Sequence, residues 1–109
     1  MHELSITRNI VAIVGEYANG ARVTQVTLEV GKLSAVMPDA IRFCFDVVAQ
    51  GTVLEGARLE VIEVPGRGRC RDCGLDIELR QLVERCPCGS SDLDRLSGEE
   101  LRIKQMVTV

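Results

Sequence analysis

Four of the five cysteines lie in one short stretch, as Cys70-x2-Cys73, twelve intervening residues, and Cys86-Pro87-Cys88. Two close pairs joined by a loop can set four thiolates around one ion, and tetrahedral sulfur coordination selects zinc. A second feature with metal chemistry lies at the far end. The only histidine is His2, beside the Met1 amine. These residues predict two metal sites of different character, one closed and structural, the other open and labile.

A segment of about thirty residues cannot bury enough surface to fold alone, so a structural ion is the expected staple. Zinc brings no redox chemistry, and four thiolates leave it no open position. The single residue between Cys86 and Cys88 requires a tighter turn than the usual spacing, with Gly89 placed to absorb the strain. Pro87 also removes an N–H that could have bonded a ligand sulfur. Two other readings stay open: Asp92 as the fourth ligand, or Cys70 and Cys73 as a redox pair. Arg67, Arg69, Arg71 and Arg85 either offset the charge of a tetrathiolate centre or form a solvated rim. Cys44 falls on the apolar side of a predicted helix and is expected to act as a small core hydrophobe.

At the amino terminus, an initiator methionine is usually removed only before a small residue, so His2 should leave Met1 in place. The Met1 amine, the deprotonated His2 amide and the His2 imidazole can form fused chelate rings, and the Glu3 amide nitrogen can close a square plane. That geometry and donor set suit Ni(II) or Cu(II) and suit zinc poorly. The ligands must shed protons, so mild acid should weaken binding. An exposed terminus also lets an ion leave one ligand at a time, as a carrier requires.

Composition narrows the classes. The 109 residues allow one compact domain or a small domain with a satellite. Hydrophobic content of 46% with only 3% aromatics implies an aliphatic core. A net charge of −3 and a pI near 5.1 argue against nucleic-acid binding through a broad basic surface. No apolar run approaches membrane-spanning length, and Met-His-Glu does not open a signal peptide, so a cytoplasmic protein is expected. In that reducing setting clustered cysteines are metal ligands rather than disulfides.

The elements that must position these residues follow from periodicity. Leu4–Ala18 reads as an amphipathic helix with a stripe of Ile6, Ile10, Ile13, Val14 and Tyr17, stopped at Asn19-Gly20. Val23–Leu33 alternates as a strand. Pro38 opens a second helix whose buried side is Ile41, Cys44, Phe45 and Val48, ended by Gly51. Ala57–Val64 is a strand with a phase slip at Val61/Ile62, and Leu101, Ile103, Val107 and Val109 alternate in a last strand. Pro65-Gly66-Arg67-Gly68 leads into the cysteine segment and Ser97-Gly98 leads out. The expected fold class is α+β: a three-stranded sheet with two helices on one face plus an inserted zinc-ribbon-like module. Residues 1–65 and 99–109 would form a discontinuous nickel-binding domain and 66–98 the zinc-binding module.

Met1-His2-Glu3-Leu4-Ser5 resembles the opening of the hydrogenase nickel-incorporation metallochaperones (the HypA/HybF family). Leu28-Glu29-Val30-Gly31-Lys32-Leu33-Ser34, Phe43-Cys44-Phe45-Asp46 and Cys70-x2-Cys73…Cys86-Pro87-Cys88-Gly89-Ser90 resemble it too, in order, over essentially the whole chain. The resemblance implies nickel at Met1, His2 and Glu3 and structural zinc at Cys70, Cys73, Cys86 and Cys88. It implies delivery of Ni(II) for [NiFe]-hydrogenase maturation with a GTP-hydrolysing partner protein and the hydrogenase large subunit as client; some members also serve urease. Two departures stand out. Family members commonly have Cys-x2-Cys in the second pair, and some carry histidines flanking the zinc cysteines that this chain lacks.

The expected function is therefore a nickel metallochaperone, not an enzyme. The chain has no Gly-rich phosphate loop, no Ser/His/Asp set and no histidine beyond His2. The rival reading is a zinc-ribbon module for protein or nucleic-acid interaction, although the acidic balance and scarce aromatics disfavour nucleic acid. A Cys-x-x-Cys oxidoreductase is the weakest alternative, because Cys73 is not set at a helix start after a strand.

Overall fold

The computed structural model describes residues 2–109 and divides into two compact units, one of residues 2–28, 36–62 and 102–109, the other of 29–35 and 63–101. In chain order the elements are α1 (His2–Ala18), β1 (Val23–Gly31), α2 (Pro38–Val48), β2 (Arg58–Val64), β3 (Gly66–Cys70), β4 (Asp76–Leu79), β5 (Leu93–Ser97) and β6 (Leu101–Thr108). Among the described residues no helix is long and apolar enough to cross a membrane.

In the first unit α1 packs on α2. It stops where the sequence predicts, because Asn19 and Gly20 take left-handed φ values of 49° and 88°. Its buried side differs from expectation. Thr7, Ile10, Val11, Val14 and Ala18 are buried, whereas Ile13 and Tyr17 are 43% and 78% exposed. Ile13 and Tyr17 instead border a groove with Ile103 and Met106 of β6. Thr7 can enter the core because its hydroxyl donates to the Glu3 carbonyl at 2.6 Å, leaving no unpaired polar group.

Pro38 begins α2, where its missing N–H costs nothing. Ile41 and Phe45 are fully buried, while Cys44 and Val48 are only half-buried, so Cys44 lies at the margin of the core rather than within it. Strand order is β2-β1-β6. The central strand β1 is consequently covered on both sides from Val26 to Leu28, including Thr27. The burial of β6 departs from the expected alternation: Ile103 and Met106 are half-buried, Leu101 and Val107 are exposed, and no residue of this edge strand is fully buried.

The second unit is built on β3, which runs antiparallel between β4 and β5 in the order β4-β3-β5. The sequence reading treated Gly66–Gly68 as punctuation; it is the central strand. Gly66, Gly68 and Cys70 face inward and Arg67 and Arg69 outward. The inward positions must be small: a Cβ on Gly68 would lie 2.9 Å from Leu79 Cδ1, and one on Gly66 would meet Leu79 O and Leu33. The segment 29–35 is tied in by Gly31 N–H to Glu100 O (2.7 Å), Lys32 N–H to Val64 O (2.9 Å) and Leu33 N–H to Gly98 O (2.7 Å).

Candidate metal centres

Cys70 ends β3, and the chain turns through Cys73 and Gly74 (φ 77°) into β4. The Cys70 N–H donates to Leu75 O and the Gly74 N–H to Cys70 O, both at 2.9 Å. The second turn repeats this scheme with one residue fewer: the Cys86 N–H reaches Ser90 O at 2.9 Å and the Gly89 N–H reaches Cys86 O at 2.8 Å. Gly89, at φ 95°, absorbs the shortening that the Cys-Pro-Cys spacing requires. Pro87 has no N–H to offer a sulfur, and it is the Cys88 N–H that favours the Cys86 thiolate.

The two turns converge. All four sulfurs lie within 4.8 Å of one another, with Cys73 Sγ 3.5 Å from Cys86 Sγ and Cys70 Sγ 3.6 Å from Cys88 Sγ. A tetrahedron of thiolates at zinc–sulfur bonds of about 2.3 Å has edges of about 3.8 Å, so this donor set fits such an ion. The Cys73 N–H donates to Cys70 Sγ at 3.4 Å. Cys70 and Cys86 are buried, Cys73 and Cys88 exposed, and none is in a disulfide.

The thiols differ in acidity. The Cys73 N–H, aided by the Asp72 N–H and by the thiols of Cys73 and Cys88, outweighs burial and lowers Cys70 to about 6. The Cys88 N–H pulls Cys86 down, but burial and the thiols of Cys73, Cys88 and Cys70 push it up to about 12. Cys88 is held down by the Ser90 N–H and the Cys86 thiol, yet the Cys70 thiol, burial and the Cys73 thiol leave it raised. Four sulfurs this close cannot all ionise without a cation among them.

The surrounding charges are committed to one another. Arg69 grips Asp76 through Nε–Oδ1 (2.7 Å) and Nη2–Oδ2 (3.3 Å), and Arg71 Nε donates to Asp94 Oδ1 at 2.7 Å. Hydrogen bonding from Arg69 and Arg71 respectively holds Asp76 and Asp94 below the ordinary carboxylate range, against partial burial. Asp92 lies outside the sulfur cluster, with its carboxylate 3.7 Å from Arg71. Arg85 Nη1 donates to Gly89 O at 3.1 Å across the second turn, and the Ser90 hydroxyl donates to Asp72 in the first. Sequence reasoning did not find the Asp72–Ser90 link; only the position of each residue within two of a cysteine could have marked it.

At the other candidate site, His2 is exposed at the first residue of α1 and Glu3 is half-buried; Met1 lies outside the described residues. The His2 carbonyl accepts from the Ser5 hydroxyl at 3.1 Å. Glu3 Oε2 accepts the Met37 N–H at 3.4 Å. The first N–H groups of a helix have no intrahelical acceptor, so the amide nitrogens of His2 and Glu3 stand outside the helical ladder.

A family model described as "Hydrogenase/urease nickel incorporation, metallochaperone, hypA" matches residues 1–108. The chain is 62% identical over 106 residues to the hydrogenase maturation factor HypA of Trichormus variabilis, covering 97% of this chain and 94% of the relative. It is 50% identical over 107 residues to that of Geobacter metallireducens, covering 97% of each. Among solved structures, the fold matches a solution structure of a HypA protein with TM-score 0.74 at 23% identity, covering 100% of this chain and 97% of the other. It also matches the Ni metallochaperone HypA from Helicobacter pylori with TM-score 0.67 at 20% identity, covering 98% and 97%. The chain belongs to the HypA family of hydrogenase/urease nickel-incorporation metallochaperones.

Proposed function

We propose that this metallochaperone carries Ni(II) on Met1, His2 and Glu3 and holds structural zinc at Cys70, Cys73, Cys86 and Cys88. It delivers the nickel for maturation of a [NiFe]-hydrogenase, with urease as the alternative client. The observation that carries the nickel assignment is the placement of the single histidine, His2, exposed in the first turn of α1.

The mechanism follows from that placement. With the Met1 amine free, the amine, two deprotonated amides and the imidazole form a planar nitrogen set. By ion counting, two amidates neutralise Ni(II), so the positive end of the α1 dipole does not repel the loaded site. Binding must release the amide protons, and acid therefore favours discharge. The Glu3 side chain, accepting from Met37, keeps the planar segment beside the start of α2. Transfer is then stepwise ligand exchange beginning at the exposed His2. Zinc, when bound, supplies only a rigid cross-link between the two cysteine turns. A GTP-hydrolysing partner supplies the nucleotide chemistry, with the hydrogenase large subunit as recipient.

Nickel titration with parallel zinc analysis tests the assignment. His2→Ala should abolish tight nickel binding with zinc content and fold unchanged. A short extension ahead of Met1, which removes the chelating amine without altering a side chain, should do the same. Nickel affinity that survives either change overturns the site.

A further inference from the structure

We infer that the four cysteines are also a reversible oxidation site, at which hydrogen peroxide converts them to two disulfides, Cys73–Cys86 and Cys70–Cys88, that cross between the turns. Two observations carry this. The close sulfur pairs, at 3.5 and 3.6 Å, each join one turn to the other. Each pair also holds one exposed thiol, Cys73 or Cys88, and one buried thiol, Cys86 or Cys70. An oxidant meets the exposed member first, and the sheltered member waits within reach to resolve it. The departure of a metal in this sequence rests on the zinc reading above; the pairing rests on the sulfur positions alone.

The exposed thiolate attacks a peroxide oxygen: an S–O bond forms, the O–O bond breaks, hydroxide leaves, and the sulfur is oxidised by two electrons to a sulfenic acid. The buried thiolate then attacks that sulfur, forming the S–S bond and expelling a second hydroxide. Each disulfide consumes one peroxide. Two such events remove all four anionic ligands, and the ion leaves. The crossed bonds replace the ion as the link between turns, so the module stays closed and can be reduced and reloaded. Bonds within the turns, Cys70–Cys73 and Cys86–Cys88, would leave the turns unconnected.

The test uses the full zinc-loaded chain, treated with graded hydrogen peroxide, alkylated, digested and mapped by fragmentation mass spectrometry, with released zinc read by a chromogenic chelator. Expected are two peroxides consumed and one zinc released per chain, the two crossed linkages, alkylated Cys44, and full recovery with dithiothreitol and zinc. Cys73→Ser should leave only Cys70–Cys88, and Cys88→Ser only Cys73–Cys86. Within-turn linkages, or sulfonic acids on Cys73 and Cys88 without disulfides, would overturn the inference. Crossed linkages in a chain that cannot be loaded with zinc would uphold it while removing the zinc reading.

Discussion

Glu3 Oε2 lies 3.4 Å from the backbone nitrogen of Met37, so a side chain in the first turn of α1 accepts the N–H that immediately precedes α2. The carboxylate of Glu3 is thereby occupied, so in the proposed nickel site its backbone nitrogen would be the atom offered to the ion. Glu3→Ala should preserve nickel stoichiometry and the planar absorption spectrum. It should cost less than about 1 kcal/mol in urea unfolding, because the lost bond is long and solvent-accessible. Loss of nickel in this variant would make the carboxylate a ligand and the amide assignment wrong.

A methyl group added at Gly31 would run into the carbonyl of Gly98, and Gly98 itself sits at φ 114°. Neither neighbour is the flexible end of a side chain. Gly31→Ala should therefore destabilise by roughly 1–3 kcal/mol, the scale of overpacking. Gly20→Ala meets nothing within 4 Å and suffers only its left-handed φ of 88°, a cost of about 1–2 kcal/mol. Urea midpoints of the two variants, measured together, should rank Gly31→Ala as the less stable.

Much of this architecture is written in the sequence, and the exceptions share a cause. α2 and β1 were legible because large apolar residues repeat with the right period, and the cysteine cluster because its spacing is fixed by one ion's geometry. β3 was not, since Gly66, Gly68 and Cys70 record an inward face by lacking bulk rather than by being apolar. The α1 face was misjudged for a related reason. Thr7 and Ala18 are buried while Ile13 and Tyr17 are not, and hydrophobicity alone ranks them the other way. The alternation expected of β6 is absent from its burial, because an edge strand is not covered evenly along one face and no one-dimensional pattern tells it from a central one.

Asp76 and Asp94 give the second unit an acid dependence of known sign. Their folded pKa values are lowered by Arg69 and Arg71, so their contribution is fully present above the unfolded value of about 3.9 and is lost as pH falls through the lower folded values. The stability difference between wild type and Asp94→Asn should hold constant from pH 8 to pH 5 and narrow only below about pH 4. Paired urea titrations across that range, with metal content measured at each pH, isolate the effect, because loss of the ion would itself unfold the strand that carries Asp94. Narrowing already at pH 6 would assign the effect to another group.

Removing the metal should separate the two units. The second rests on strands of 5, 4 and 5 residues, and its buried side chains are few: Val30, Leu33, Leu79, Cys70 and Cys86. So small a core cannot hold short strands together unaided. Coordination in zinc-finger peptides contributes about 10–16 kcal/mol of apparent binding free energy, more than such a core could replace. The first unit keeps its own interior, with Ile41, Phe45, Leu28 and Leu54 fully buried. A strong chelator should therefore abolish amide protection at Arg69 and Leu93, while protection in α1 and α2 and the helical circular dichroism persist. Zinc should restore the lost protection. Simultaneous loss across α2 and β3 would mean that the two units unfold as one, and protection unchanged by chelation would deny the ion its structural role.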